Sequence, residues 1–100
     1  MSRLSVRVTR RAEQEIEQAA FWWQEHRPAA PQALVEDLRA GLSLLQFQPS
    51  TGQPVENTRL PGVRRLHLAR IRYHLYYRVE PDQIVVLAFW HTSRGQSPGV

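Results

Sequence analysis

The sequence contains neither cysteine nor lysine. The absence of cysteine excludes a disulfide framework, a thiolate nucleophile and a cysteine-ligated metal, and it fits a reducing compartment. A long apolar run is also missing, because no stretch approaches the roughly 20 residues that span a bilayer. Residues 1–10 alternate and carry charge, unlike a signal peptide. We therefore expect a cytoplasmic protein without membrane contact.

All thirteen lysine or arginine residues are arginine, and the number of acidic residues that offset their charge differs between the two halves of the chain. Residues 1–50 hold six arginines and six acids, whereas residues 51–100 hold seven arginines and three acids, so the whole net charge of +4 belongs to the second half. The codon preference of a GC-rich genome can explain the lack of lysine. A basic surface in the second half would attract a polyanion or an acidic partner.

The chain is expected to form one domain over residues 1–100, since 42% of its residues are hydrophobic and no repeat or linker interrupts it. Alternation over residues 4–8 predicts a strand. Thr9 can then cap a helix that continues to Glu25. A second helix is predicted from Pro31 to Phe47, where Gly41 would allow a neighbour, such as the first helix, to pack closely. The apolar stripes of the two helices are formed by Ala12, Ile16, Ala19 and Trp23, and by Leu34, Leu38, Leu42 and Leu45.

The second half reads as strands over residues 63–69, 73–80 and 84–91, with a further short strand expected around residues 55–59. The run 84–91 is apolar almost throughout, as in a strand covered on both faces. The predicted fold class is therefore α+β, with an N-terminal strand, a helical hairpin and a three- to four-stranded antiparallel sheet.

The alternation of the first two of these strands fixes how they pair. Both apolar sets must face the helices, so odd-numbered residues of one strand oppose even-numbered residues of the other. A loop centred on Arg70 and Ile71 then places His67 opposite His74. The face away from the helices is expected to be bare and to present Arg65, His67, His74, Tyr76 and Arg78, with Arg59, Arg64, Arg70, Arg72 and Arg94 at its rim.

Such a face suits phosphate binding by guanidinium groups, proton transfer by imidazole and stacking by tyrosine. The alternative is a solvated sheet face whose cross-strand pairs only stabilise the hairpin. The histidines lack metal-ligand spacing and neighbouring carboxylates, so no metal is expected. No phosphate-cradling glycine loop or Ser/His/Asp arrangement occurs, and no cofactor is expected.

Three consecutive aromatic residues, Phe21, Trp22 and Trp23, lie in the first helix. Because successive residues turn by about 100°, they cannot all face one core. Trp23 belongs to the buried stripe, so Phe21 or Trp22 should be partly exposed. Either the second helix fills the groove beside them, or they form a docking site for a partner peptide.

Taken in order, the motifs resemble the RelE/ParE superfamily, the plasmid-stabilisation toxins of bacterial type II toxin–antitoxin systems. The resemblance covers residues 4–94 and rests on segments 8–12, 48–52, 62–68, 73–79 and 84–91, followed by Arg94. It implies a cognate antitoxin that wraps the toxin and blocks its active surface. RelE-like members cut mRNA in the ribosomal A site, whereas ParE-like members poison DNA gyrase.

If the RelE-like pattern is matched to this sequence residue by residue, the catalytic residues would be Arg65, His67, His74 and Arg94. However, His67 stands where lysine is common, His74 stands where arginine is expected, and no tyrosine follows Tyr77. His91 before the tail is common on the ParE-like side. Target or phosphate binding is expected of the outer-face and rim residues together with His91, and antitoxin binding of the aromatic pair. The first set is Arg64, Arg70, Arg72, Tyr76, Arg78 and His91, and the pair is Phe21 and Trp22.

The resemblance therefore favours a ParE-like gyrase poison. A ribosome-dependent mRNA endoribonuclease and a non-enzymatic antitoxin-binding module remain as alternatives, so whether the chain is an enzyme depends on the branch to which it belongs.

Overall fold

The computed structural model describes residues 3–100. Two helices pack on one face of a five-stranded sheet whose strand order is β1-β5-β4-β3-β2. This arrangement confirms the predicted α+β class and the predicted order of elements. The elements are β1 (Ser5–Val8), α1 (Arg10–His26), α2 (Ala33–Phe47), β2 (Gln53–Pro54), β3 (Val63–Leu68), β4 (Tyr73–Val79) and β5 (Gln83–His91).

Helix α1 begins where the sequence predicts. The Thr9 hydroxyl accepts a hydrogen bond from the Ala12 amide at 3.2 Å and so satisfies one of the unpaired N–H groups of the first turn. The helix continues one residue beyond Glu25, to His26, and Pro28 follows. Helix α2 begins at Ala33 rather than Pro31 and ends at Phe47 as expected.

The sheet is mixed rather than antiparallel. Strands β2, β3, β4 and β5 form consecutive antiparallel pairs, but β1 pairs with β5 in parallel, with Val6 opposite Ile84. The two helices carry the chain from β1 across the sheet to the far edge. The antiparallel strands then return to β1, and the last of them runs in the same direction as β1.

The short strand expected at residues 55–59 lies instead at Gln53–Pro54 and pairs with Arg65 and Arg64 of β3. The backbone after it turns at Asn57, whose φ angle of 59° is incompatible with an extended strand. The prediction of a strand at residues 55–59 is therefore wrong, because the chain forms a turn at Asn57, and asparagine tolerates this turn conformation.

The main core lies between the helices and the inner sheet face. Leu34 and Leu45 of α2 are buried there against residues such as Tyr77 of β4. Gly41 makes the expected close approach, but its neighbour is the sheet and not α1. A Cβ atom at Gly41 would lie 3.0 Å from a methyl carbon of Leu68 and 3.3 Å from one of Leu66.

A second apolar cluster covers part of the outer sheet face, which the sequence predicted to be bare. The C-terminal segment Gln96–Val100 crosses this face: the Trp90 indole donates to the Gln96 carbonyl at 2.8 Å, and Arg11 donates to the carbonyl of Pro98. The cluster consists of Val63, Tyr76, Val85, Leu87, Ala88 and Trp90, with Val55 and Val100 packed against it. Strand β5 is therefore covered on both faces, as predicted, but over this part of the sheet the prediction of a bare outer face is wrong.

Tyr77 of β4 holds the loop after α2 against the sheet through two hydrogen bonds. The Tyr77 hydroxyl donates to the Pro49 carbonyl at 2.7 Å and accepts from the Gly52 amide at 2.9 Å. Gly52 is buried, and a Cβ atom there would lie 2.5 Å from that hydroxyl and 3.0 Å from the Arg65 carbonyl oxygen. Only glycine fits without movement of the backbone.

We expect Gly52→Ala to destabilise the fold by about 1–3 kcal/mol, because the added methyl group overpacks this contact. Denaturant unfolding of the purified protein measures the change. Gly95→Ala is the matched control, since a Cβ atom there meets nothing within 4 Å. Equal stability of the two variants would contradict the close packing at Gly52.

Candidate functional site

The β3–β4 register brings the predicted basic residues together. His67 lies opposite His74, and Arg65 lies opposite Tyr76, in the register that a loop at Arg70 and Ile71 predicts. The centroids of the two imidazole rings are 5.0 Å apart. The turn between the strands has four residues, Ala69–Arg72, and is centred on the expected position.

A cavity of about 410 Å³ opens beside the histidine pair. One wall is formed by Thr51, Gly52 and Gln53, which the Tyr77 hydroxyl holds in place, and the other by Arg65 and Leu66 with the two histidines. A second cavity of about 200 Å³ is lined by Arg65, His74, Arg94 and the segment Gly95–Ser97, among others. His74 therefore lies between two cavities, with an arginine on each side.

The electrostatics of the site keep His74 neutral. Burial lowers the pKa of His74 to about 4, with smaller contributions from the nearby charges of Arg65 and His67. At neutral pH its imidazole is therefore uncharged and can accept a hydrogen bond beside permanent cations. Arg94 is held over the Trp90 ring, with its guanidinium carbon 3.9 Å from the ring centroid.

The arrangement can attract an anionic group and offer it both guanidinium donors and a neutral imidazole. The sequence profile of the family described as "ParE toxin of type II toxin-antitoxin system, parDE" matches residues 6–95. The chain belongs to this family.

Solved structures agree with this assignment. The toxin chain is similar to a chain of the chromosomal ParDE TA system from P. aeruginosa, with 25% identity, a TM-score of 0.73 and coverage of 90% of this chain and 97% of that one. The YoeB dimer from Staphylococcus aureus shares the fold, with 13% identity, a TM-score of 0.62 and coverage of 90% and 98%. No curated protein shows significant sequence similarity. Over residues 3–100 of this ParE-family toxin, neither helix has the length and apolar character needed to cross a membrane.

Tyr76, expected on a bare outer face, lies under the C-terminal segment. Tyr76 is only 3% exposed and therefore offers no stacking surface in this structure. Arg78 is half-buried, and its Nε has no hydrogen-bond partner among residues 3–100. The C-terminal segment is the physical reason for the burial of Tyr76, because it packs on the face that strands β3–β5 leave uncovered by the helices.

The arginines expected at the rim of the outer sheet face lie in different environments. Arg64 donates to the carbonyls of Ser50 and Gly52, at 3.3 and 2.7 Å, and so supports the cavity wall. Arg70 points to the helix side, where it forms salt bridges with Glu36 and Asp37 of α2. Two further residues that were expected to bind the target, Arg72 and His91, lie together at the end of the sheet next to α1.

Phe21 and Trp22 of α1 are both exposed and Trp23 is buried, whereas the sequence required only that one of the first two be partly exposed. Phe21 is 69% exposed and Trp22 is 39% exposed, so α2 does not fill the groove beside them. Trp22 stacks on His26 with a centroid distance of 4.4 Å. The two aromatic residues line an open depression together with Glu17, Gln18, Glu25 and His26.

Sequence reasoning missed two contributors to the site region. Arg27 comes next to Trp22 and His91 only because α1 ends at the rim of the sheet. Glu15 accepts a hydrogen bond from the Phe89 amide at 2.9 Å and pairs with Arg11. Nothing in the local sequence distinguishes Arg27 from a solvated arginine, whereas the helical spacing of Arg11 and Glu15 already indicates an ion pair.

We expect the His74 imidazole to titrate near pH 4 in the folded protein. Arg65→Gln should raise this pKa only partly toward 6.5, because burial is the larger cause of the shift. NMR titration of the imidazole resonances measures both values, and Arg39→Gln on the exposed side of α2 serves as the control. A His74 pKa near 6.5 in the unsubstituted protein would contradict the site as described.

The same shift makes the fold sensitive to acid. Unfolded His74 binds a proton near pH 6.5, whereas folded His74 resists protonation down to about pH 4, so acidification between these values favours unfolding. We expect His74→Gln to lose less stability than the unsubstituted protein over this range. Parallel unfolding curves at pH 7 and pH 4.5 test the difference, and identical losses would contradict it.

Proposed function

We propose that this toxin arrests growth by poisoning DNA gyrase and that a cognate antitoxin neutralises it. The observation that carries the proposal is the extent of the family match, which runs from β1 through both helices to the residues after β5. The similarity to a chain of a ParDE system at 25% identity supports the same branch. Members of that branch act on gyrase and are paired with an antitoxin.

The outer face of the sheet supports a protein target better than an RNA target. Single-stranded RNA is usually held by stacking its bases on exposed aromatic rings. Here Tyr76 and Trp90 are 3% and 9% exposed, because the C-terminal segment covers them. The positive charge that remains accessible favours an anionic surface without supplying a platform for bases.

Expression of the chain without its antitoxin should arrest growth, and co-expression of the antitoxin should restore it. In a purified assay, the toxin should reduce supercoiling by gyrase. Normal supercoiling at saturating toxin would reject the gyrase target. Tight antitoxin binding without any growth phenotype would instead identify a non-enzymatic binding module.

Phe21 and Trp22 are the residues that we propose for antitoxin contact. An exposed aromatic pair on a helix supplies the kind of anchor that dominates protein interfaces. The neighbouring carboxylates of Glu17 and Glu25 form a polar rim around it. Since Phe21 is the more exposed ring, it can be truncated without opening the core.

Phe21→Ala should weaken antitoxin binding by roughly tenfold or more, as expected for the loss of an aromatic anchor. Calorimetric titration of the antitoxin into each variant measures the effect. Phe47→Ala is the matched control, because Phe47 is a 56% exposed aromatic residue on the other helix. If both variants bind as the unsubstituted toxin does, the antitoxin docks elsewhere.

A ribosome-dependent endoribonuclease is the second candidate, and the position of neutral His74 between Arg65 and Arg94 favours it. In that reaction His74 accepts the proton of the 2′-hydroxyl as its oxygen attacks the phosphate. The arginines bind the phosphate oxygens. The bond to the 5′-oxygen breaks as His67, starting in its protonated form, donates its own proton to that leaving group, giving a 2′,3′-cyclic phosphate and a 5′-hydroxyl.

Toeprinting of translated mRNA should then reveal cuts in the A site. The double variant Arg65→Ala/His74→Ala should lose at least a hundredfold in cutting rate, since it removes a phosphate ligand and the base. Arg39→Ala is the control for loss of charge. Cutting that persists in the double variant, or that never occurs, would exclude this mechanism.

A further inference from the structure

A second basic site lies at the same end of the sheet as the His67–His74 pair, on the side of the β3–β4 turn that faces the end of α1. The end of α1, the β3–β4 turn and the end of β5 enclose a cavity of about 350 Å³. Its lining combines two guanidinium groups, an imidazole and a hydroxyl with two aromatic rings. The lining residues are Trp22, Arg27, Arg72, Tyr73, His91 and Ser93.

The positive charge of this cavity is not balanced by neighbouring acids. Within residues 3–100, the salt bridges involve Arg11 and Arg70 but not Arg27, Arg72 or Arg94. Burial lowers the pKa of His91, and the charges of Arg72, Arg94 and Arg27 lower it further. Three permanent cations therefore act on one imidazole.

The hydrogen bonds of His91 leave one ring nitrogen available as a donor. Its Nδ1 accepts from the Ser93 amide at 3.1 Å and lies 2.7 Å from the Ser93 hydroxyl. An Nδ1 that accepts an N–H bond carries no proton, so the neutral ring is protonated at Nε2. Tyr73 holds the ring edge-on, with a centroid distance of 5.0 Å.

Arg72 occupies a backbone conformation that favours glycine. Its φ angle is 62°, in the left-handed region that is costly for a residue with a Cβ atom. Its carbonyl accepts from the Thr92 amide at 2.9 Å, which ties the turn to the end of β5. The turn therefore carries a strained arginine at a cationic cavity, as is common where strain serves binding.

We infer that this cavity binds a phosphate monoester. A terminal phosphate carries nearly two negative charges and three acceptor oxygens, which match the guanidinium groups of Arg27 and Arg72 and the imidazole of His91. The half-exposed Trp22 ring then flanks the organic group attached to the phosphate, whereas Tyr73 is buried against Phe89 and only supports the His91 ring. A phosphodiester carries one charge and matches the cations less well.

Adenosine monophosphate is the probe, and NMR is the readout. Its titration should produce a saturable change at the Trp22 indole and His91 imidazole resonances. A 5′-phosphorylated oligonucleotide should bind as well as the mononucleotide, and the same oligonucleotide with a 5′-hydroxyl should bind at least fivefold more weakly. This comparison distinguishes a terminal phosphate from the internal backbone.

The variant Arg72→Gly distinguishes a loss of ligand binding from a loss of stability. Glycine adopts a positive φ without strain, so this variant should keep or raise the Tm while its affinity falls at least tenfold. Arg27→Gln should also weaken binding, whereas Arg39→Gln should change it less than twofold. The inference is overturned if no saturable change occurs at Trp22 and His91, if the 5′-hydroxyl oligonucleotide binds equally well, or if Arg39→Gln weakens binding as much as Arg72→Gly. The site does not depend on which target the toxin attacks.

Discussion

The odd–even pairing of β3 with β4 is the constraint on which the rest of the structure depends. It sends Leu68, Leu75 and Tyr77 toward the helices and leaves His67 and His74 on the other face. A shift of the register by one residue would turn one of the two strands over, which would bury its histidine under the helices and expose its apolar residues. The core and the basic surface are therefore two consequences of one pairing.

The Tyr77 hydroxyl makes the position of the loop after α2 depend on the same strand pairing. By bonding Pro49 and Gly52, a side chain of the inner face fixes backbone that forms a wall of the outer cavity. The packing of the core and the shape of the candidate site are thus coupled through one phenol. The buried hydroxyl is fully used, which avoids the penalty of an unpaired polar group.

The C-terminal segment divides the basic surface of this ParE-family toxin. It covers Tyr76 and Trp90 and leaves His74 at the boundary between two cavities. The arginines of the second half likewise serve different purposes. Arg64 and Arg70 bind protein carbonyls and carboxylates, whereas Arg65 and Arg72 line cavities that an anion can enter.

By itself, the sequence determined the α+β class, the helical stripes, the parity of the β3–β4 pairing and the exposure of at least one aromatic residue of α1, because periodicity and parity are local properties of the chain. Tertiary structure alone decided that β1 joins β5 in parallel, that Gly41 faces the leucines of β3, and that Arg27 meets His91. It also placed the C-terminal segment over the outer face. These contacts join segments far apart in the chain, and no local alternation of residues encodes which distant surface a segment will cover.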